Sequence, residues 1–191
     1  MIGWPLPLAA PQILWLNLIT DIFPAFALAL EPSAPGVMKR PPRDPNESLL
    51  SFRFVSLIVW QGLLLAGVTL LAFAVGMNWH GATGDGLRQA TTIAFMTLAL
   101  AQVFHVFNAR SQSRSAFTSR LFTNGWLWAA VAMCLALQAA AVYLSLLQKV
   151  LHTTPPTPAD WALIAACSLM PVAVVELVKA IKRVNTGYSG P

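Results

Sequence analysis

The chain has 191 residues, of which 57% are hydrophobic and only 10% charged, and its formal net charge is +5 at pH 7. A soluble domain carries roughly 25% charge, and a mean hydropathy of +0.64 leaves too few polar side chains to cover a soluble core of this size. Disorder is excluded on the same grounds. The composition is that of an integral membrane protein in a lipid bilayer, so the positive charge reports loop topology and gives no reason to expect a nucleic-acid partner.

A helix crosses the hydrocarbon core with about 20 mostly apolar residues. Five stretches qualify, at about Ile13–Leu30, Phe54–Val75, Ala90–Phe107, Trp126–Leu147 and Trp161–Ile181. The expected fold is all-α, a single membrane domain over residues 1–191 with five transmembrane helices, the first kinked at Pro24. The loops between them are too short for a soluble catalytic domain.

Cytoplasmic loops of membrane proteins hold excess Lys and Arg. The first loop has Lys39, Arg40, Arg43 and Arg53, the third has Arg110, Arg114 and Arg120, and the C-terminal end has Lys179, Lys182 and Arg183. The second and fourth loops have only Arg88 and Lys149. The alternation is unbroken, so the expected topology has the N-terminus outside and the C-terminus cytoplasmic, in the cell membrane. Met1 to Gln12 carry no charged side chain and make no secretory signal. A five-span chain that starts outside without a signal is expected to follow other spans, as the C-terminal part of something larger.

The first span holds the densest polar chemistry. Asn17 and Asp21 are spaced i, i+4, with Thr20 at i+3. On an α-helix these three project from one face. A carboxylate within a span costs about 2.5–3.5 kcal/mol on insertion scales, so it marks a functional site by default. Pro24 cannot donate to the carbonyl four residues back, that of Thr20. A free carbonyl beside a carboxylate, an amide and a hydroxyl is an oxygen set for a hard cation, and an opened span near the midplane is a recurring ion-site design.

Other polar residues read more plainly. Cys134 and Cys167 have no CxxC spacing and are expected as small packing residues without metal or disulfide. His80, His105 and His152 are scattered and make no ligand cluster. Gln61 and Gln138 are each expected to bond a neighbouring helix. Gln102 and His105 share a face of the third span, and Glu176 can pair with Lys179 at i+3. The basic stretch Arg110 to Arg120 suits a solvated or lipid-headgroup surface.

The run Gln12-Ile13-Leu14-Trp15-Leu16-Asn17-Leu18-Ile19-Thr20-Asp21-Ile22-Phe23-Pro24-Ala25 resembles the sixth transmembrane helix of P-type cation-transporting ATPases. The later Glu31-Pro32 and Val37-Met38-Lys39-Arg40-Pro41-Pro42-Arg43-Asp44-Pro45 resemble the cytoplasmic loop that follows it. The likeness covers nearly the whole chain, as helices six to ten of the pump. It implies that Asn17, Thr20 and Asp21 ligate the transported cation, with calcium the expected ion because sodium/potassium pumps carry Asp where this chain has Asn17. Aligned on Asn108, Gln102 stands where reticulum-type calcium pumps place a Glu ligand; an amide there ligates without adding charge. The resemblance also implies a partner, the N-terminal part of the pump with helices one to five and the cytoplasmic domains. ATP and magnesium act only through those domains.

The Asp-Lys-Thr-Gly-Thr phosphorylation motif of these pumps does not occur in this sequence, nor does a Gly-rich phosphate loop. An alternative is a structural or regulatory membrane protein that keeps the fold without transport. A stand-alone channel or carrier is disfavoured, because only the first span has a dense polar stripe and five spans give no paired inverted repeat. The purified chain is expected to form no acyl-phosphate with labelled ATP; ATP-dependent phosphorylation of this polypeptide alone would refute that reading.

Overall fold

The computed structural model describes residues 5–30, 52–109 and 125–186, and within them every side chain except those of residues 28, 53, 107–109 and 182–186. The basic loops expected at Lys39 to Arg53 and at Arg110 to Arg120, the tail cations Lys182 and Arg183, and the Asn108 side chain lie outside the described residues. The described chain is all helical: α1 (Ala10–Leu16), a π-helical turn (Asn17–Asp21), α2 (Ile22–Ala29), α3 (Phe52–His80), α4 (Gly84–Ala109), α5 (Gly125–Tyr143), α6 (Ser145–Leu151) and α7 (Pro158–Thr186).

Among the described residues four helices, α3, α4, α5 and α7, are long and apolar enough to cross a membrane. The other expected span, Ile13–Leu30, is not a single helix of that length. The segment expected as a first span is divided into seven α-helical residues, a five-residue π-helical turn and eight further α-helical residues. The break from α geometry falls at Asn17–Asp21, one turn before the proline where the kink was expected. Pro24 itself is buried within α2. A proline in a helix interior removes a donor and crowds the carbonyl four residues back, and a single π turn is one way for the chain to absorb that misfit.

α4 is the hub. Of its apolar window 67% is buried, against 22% for α3 and 28% for α7, and it packs on α3, α7, α5 and the π turn. Between helices in lipid there is little hydrophobic drive, so close packing of small residues holds them. Ala72, Ala90, Ala94, Ala99, Ala101 and Ala141 are fully buried. At Gly76 a Cβ would stand 3.0 Å from the Ala90 Cα, which shows how near α3 and α4 approach. Ile93, Phe95, Met96 and Leu100 of α4 then fill the space towards Leu16, Val142 and Ile164.

Polar bonds tie the ends of α3, α4 and α7 where His80, Gly84 and Pro158 lie. Thr157 and Asp160 form a reciprocal capping box: the Asp160 Oδ2 accepts the Thr157 N–H at 2.8 Å, and the Thr157 hydroxyl oxygen accepts the Asp160 N–H at 3.3 Å. Asp160 is fully buried, and it also accepts from His80 Nε2 and Gln89 Nε2, each at 2.8 Å. Arg88 donates to the carbonyls of Gln148 and Thr153 at 3.2 and 2.9 Å, closing the end of α6. Exposed Trp126 and Tyr143 stand at the two ends of α5, about 26 Å apart along its axis, close to the roughly 30 Å hydrocarbon core whose interfaces collect such rings.

Gly86 shows how tight the α3–α4 corner is: a Cβ there would overlap the His80 carbonyl oxygen. Gly86→Ala is therefore expected to lower the thermal stability of the detergent-solubilised chain by roughly 1–3 kcal/mol, as overpacking does. Gly62→Ala, where a Cβ meets nothing within 4 Å, serves as the control and should leave it unchanged.

Candidate functional site

The π turn brings together most of the polar atoms of the first segment. Leu14, Leu18, Ile22 and Phe26 around it are exposed apolar side chains, as lipid or another helix would require. Asn17 and Asp21 are also exposed, whereas Thr20 is 7% exposed and turned inward. The three side chains therefore do not share one face, as α-helical spacing had predicted. A π-helical turn closes on the fifth residue and rotates each position through a smaller angle, so Thr20 falls away from the Asn17–Asp21 line towards α4.

There Thr20 meets Gln102. Its hydroxyl oxygen is 2.8 Å from the Leu16 carbonyl and 3.0 Å from Gln102 Oε1. A hydroxyl has one proton to donate. With that proton on Leu16, the second contact is completed when the Gln102 amide presents its NH2 to Thr20, the two ends of an amide having the same shape. The bond back to residue i−4 is one that bends helices. Of the four residues singled out as ligands, Thr20 and Gln102 are thus joined, while Asn17 and Asp21 stand on the open side of the turn. The described residues contain no group of three or more His, Cys, Asp or Glu side chains placed to hold a metal ion. A cation at this turn would draw on neutral oxygens beside its one carboxylate.

Two helices pin the turn from behind. α4 supplies Gln102 and the fully buried Val103; α5 supplies Val131 and Cys134, and these enclose Ile19. The Cys134 thiol donates to the Ile19 carbonyl at 3.4 Å. Cys134 is thus more than the packing residue its isolation in the sequence suggested. Gln12, fully buried at the start of α1, accepts from the Ala9 N–H and donates to the Leu151 carbonyl, each at 3.0 Å, which anchors the segment ahead of the turn.

The remaining polar residues divide. Gln61 does bond a neighbouring helix, accepting from His105 Nε2 at 3.3 Å. Glu176 and Lys179 do pair, at 3.1 Å. Gln138 does not follow the expectation set for it: it is 1% exposed, and neither end of its amide has a hydrogen-bond partner among the described residues. Ala27 against Leu127 and Ile19 against Cys134 set the first segment antiparallel to α5. In that segment the Trp15 indole N–H is likewise buried without a partner among the described residues. The His80–Asp160–Gln89 cluster was not anticipated, although Thr157-Pro158-Ala159-Asp160 before an apolar run is a legible capping signal.

The family model described as "Cation transporting ATPase, C-terminus" matches residues 5–181. The chain belongs to that family. It is 39% identical over 171 residues to a calcium-transporting ATPase of Bacillus subtilis (strain 168), covering 90% of this chain and 19% of that protein. It is 33% identical to calcium-transporting ATPase 1 of Bacillus cereus, over 96% of this chain and 22% of the relative. It is also 33% identical to the probable cation-transporting ATPase F of Mycobacterium tuberculosis, over 96% of this chain and 20% of the relative. The chain spans about a fifth of the length of these relatives. It is thus the C-terminal membrane region of a P-type cation-transporting ATPase.

A buried amide with no partner costs about 1–3 kcal/mol, and an apolar replacement of similar size removes that cost. Gln138→Leu in this ATPase module is therefore expected to hold or raise its thermal unfolding temperature in detergent. A fall of several degrees would mean that the amide has a partner after all.

Proposed function

We propose that the π turn supplies oxygen ligands to the cation that the complete pump transports, with calcium as that cation. Asp21 is the principal charged ligand and Asn17 adds a neutral oxygen from the open side, while Thr20 and Gln102, joined to each other on the α4 side, complete the set with neutral oxygens once the Thr20 hydroxyl turns from Leu16 to the ion. One observation carries this reading: a carboxylate and an amide stand exposed on a non-α turn in a segment otherwise coated with apolar side chains. In lipid such an arrangement is costly unless something polar covers it.

In this proposal residues 10–29 form a bent fifth span, and their Asn17–Asp21 side faces the pump's preceding membrane helices. The N-terminus lies outside and the C-terminus in the cytoplasm, in keeping with the loop charges, and the pump sits in the cell membrane. ATP and magnesium act through the N-terminal part of the pump, the partner of this module. α4 and α5 form a fixed wall behind the turn, so movements of the preceding helices change only its open side.

The test is ion-dependent phosphoenzyme formation by the full-length pump across a calcium titration. Asp21→Asn keeps the shape and removes the charge. It should weaken apparent ion affinity by about 100-fold or more, since loss of one charged partner from a buried pair costs about 3–5 kcal/mol. Asn17→Ala should weaken it by a smaller factor, and Gln102→Ala by less again. An unchanged calcium dependence in Asp21→Asn would make the carboxylate structural and sink the assignment.

A further inference from the structure

Pro24 creates a bonding problem that the first segment cannot solve alone. It has no N–H. In α2, where Pro24 lies, its missing donor would have served the Thr20 carbonyl, four residues back; Ile19 lies just before it, inside the π turn. Ile19 is 1% exposed, and Val103, Val131 and Cys134 close around it, so water cannot fill the place. A carbonyl buried in such surroundings needs a donor, and the Cys134 thiol is 3.4 Å from it.

We propose that Cys134 is a positioning residue for the ion site. Its S–H gives a carbonyl inside the π turn a side-chain donor, and so holds the turn open in the conformation that presents Asn17 and Asp21 together. The turn is then held by two side chains from two helices, Gln102 of α4 on the Thr20 hydroxyl and Cys134 of α5 on the Ile19 carbonyl. The contacts α5 makes with the turn are at Ile19, through Val131 and Cys134. α5 acts on the ion only by fixing the backbone between Asn17 and Asp21. This role rests on the proposed ion-binding function of the turn.

Volume and donor can be separated by substitution. Cys134→Ser and Cys134→Ala lose a similar volume, and only the serine keeps a donor. The first measurement is the calcium titration of phosphoenzyme in the full-length pump. A thiol is a weak donor, so Cys134→Ala should weaken apparent ion affinity by about threefold to tenfold with the maximal phosphoenzyme level retained, and Cys134→Ser should stay close to the parent. The opposite ranking, or no difference between the two variants, overturns the positioning role.

The second measurement is the infrared S–H stretch of the present chain with Cys167→Ala, which leaves Cys134 as its single thiol. A band displaced to lower wavenumber than a free thiol supports the bond. A band at the free-thiol position refutes the clamp whatever the transport data show. If the band is displaced but Asp21→Asn binds calcium normally, the ion-site reading fails and takes the positioning role with it, while the bond itself stands.

Discussion

In lipid a backbone carbonyl without a donor cannot turn to water, and Pro24 ensures that the first segment is short of one donor. The rest of the arrangement around that segment follows from how the deficit is met. The helix widens into a π turn just upstream, the Thr20 hydroxyl bonds back to Leu16, and a thiol from another helix reaches the Ile19 carbonyl. None of these partners is strong by itself. Together they keep a non-α backbone where an ordinary helix would otherwise be favoured, and local strain of this kind persists only where its surroundings over-determine it.

The surroundings here are α4 and α5, and their rigidity has its own source. α4 is walled by α3 and α7 through alanines and Gly76 at near contact distance. At one end the buried Asp160 gathers His80, Gln89 and the start of α7 into one knot. A side chain is well placed only if its helix is, so the Asp160 knot contributes to where Gln102 stands although it lies several turns away along α4. The same logic explains why Gln12 matters. By tying α1 to the end of α6 it fixes where the first segment enters, and with it the depth of the π turn.

Much of the fold and part of the site could be read from residues alone. Runs of about 20 apolar residues give four of the helices with ends moved by a few residues, because crossing a bilayer imposes a length that composition records directly. The acidic, amide and hydroxyl side chains at Asn17, Thr20 and Asp21 could be singled out because polar groups are scarce in such a segment. Their orientation could not. One-face spacing assumes α geometry, and the π turn sends Thr20 towards Gln102 instead. Gln138 fails for a related reason: an amide in a span was expected to find a bonding partner, and the helix faces that meet around it offer none among the described residues.

By itself, then, the sequence determined that this is a helical membrane module, which segment gathers a carboxylate, an amide and a hydroxyl among apolar residues, and, through the string ending in Thr20-Asp21-Ile22-Phe23-Pro24, its family. These are properties of composition and local order, and every residue needed to see them lies within a short stretch of chain. Only the tertiary structure decided that Thr20 is joined to Gln102, 82 residues away, that Cys134 serves a carbonyl 115 residues away, and that Asp160 binds three helix ends together. Such pairings depend on which faces of which helices meet. In a bundle held by close contact of small residues, whose order along each helix carries little pattern, the meeting faces emerge only when all the helices are packed at once.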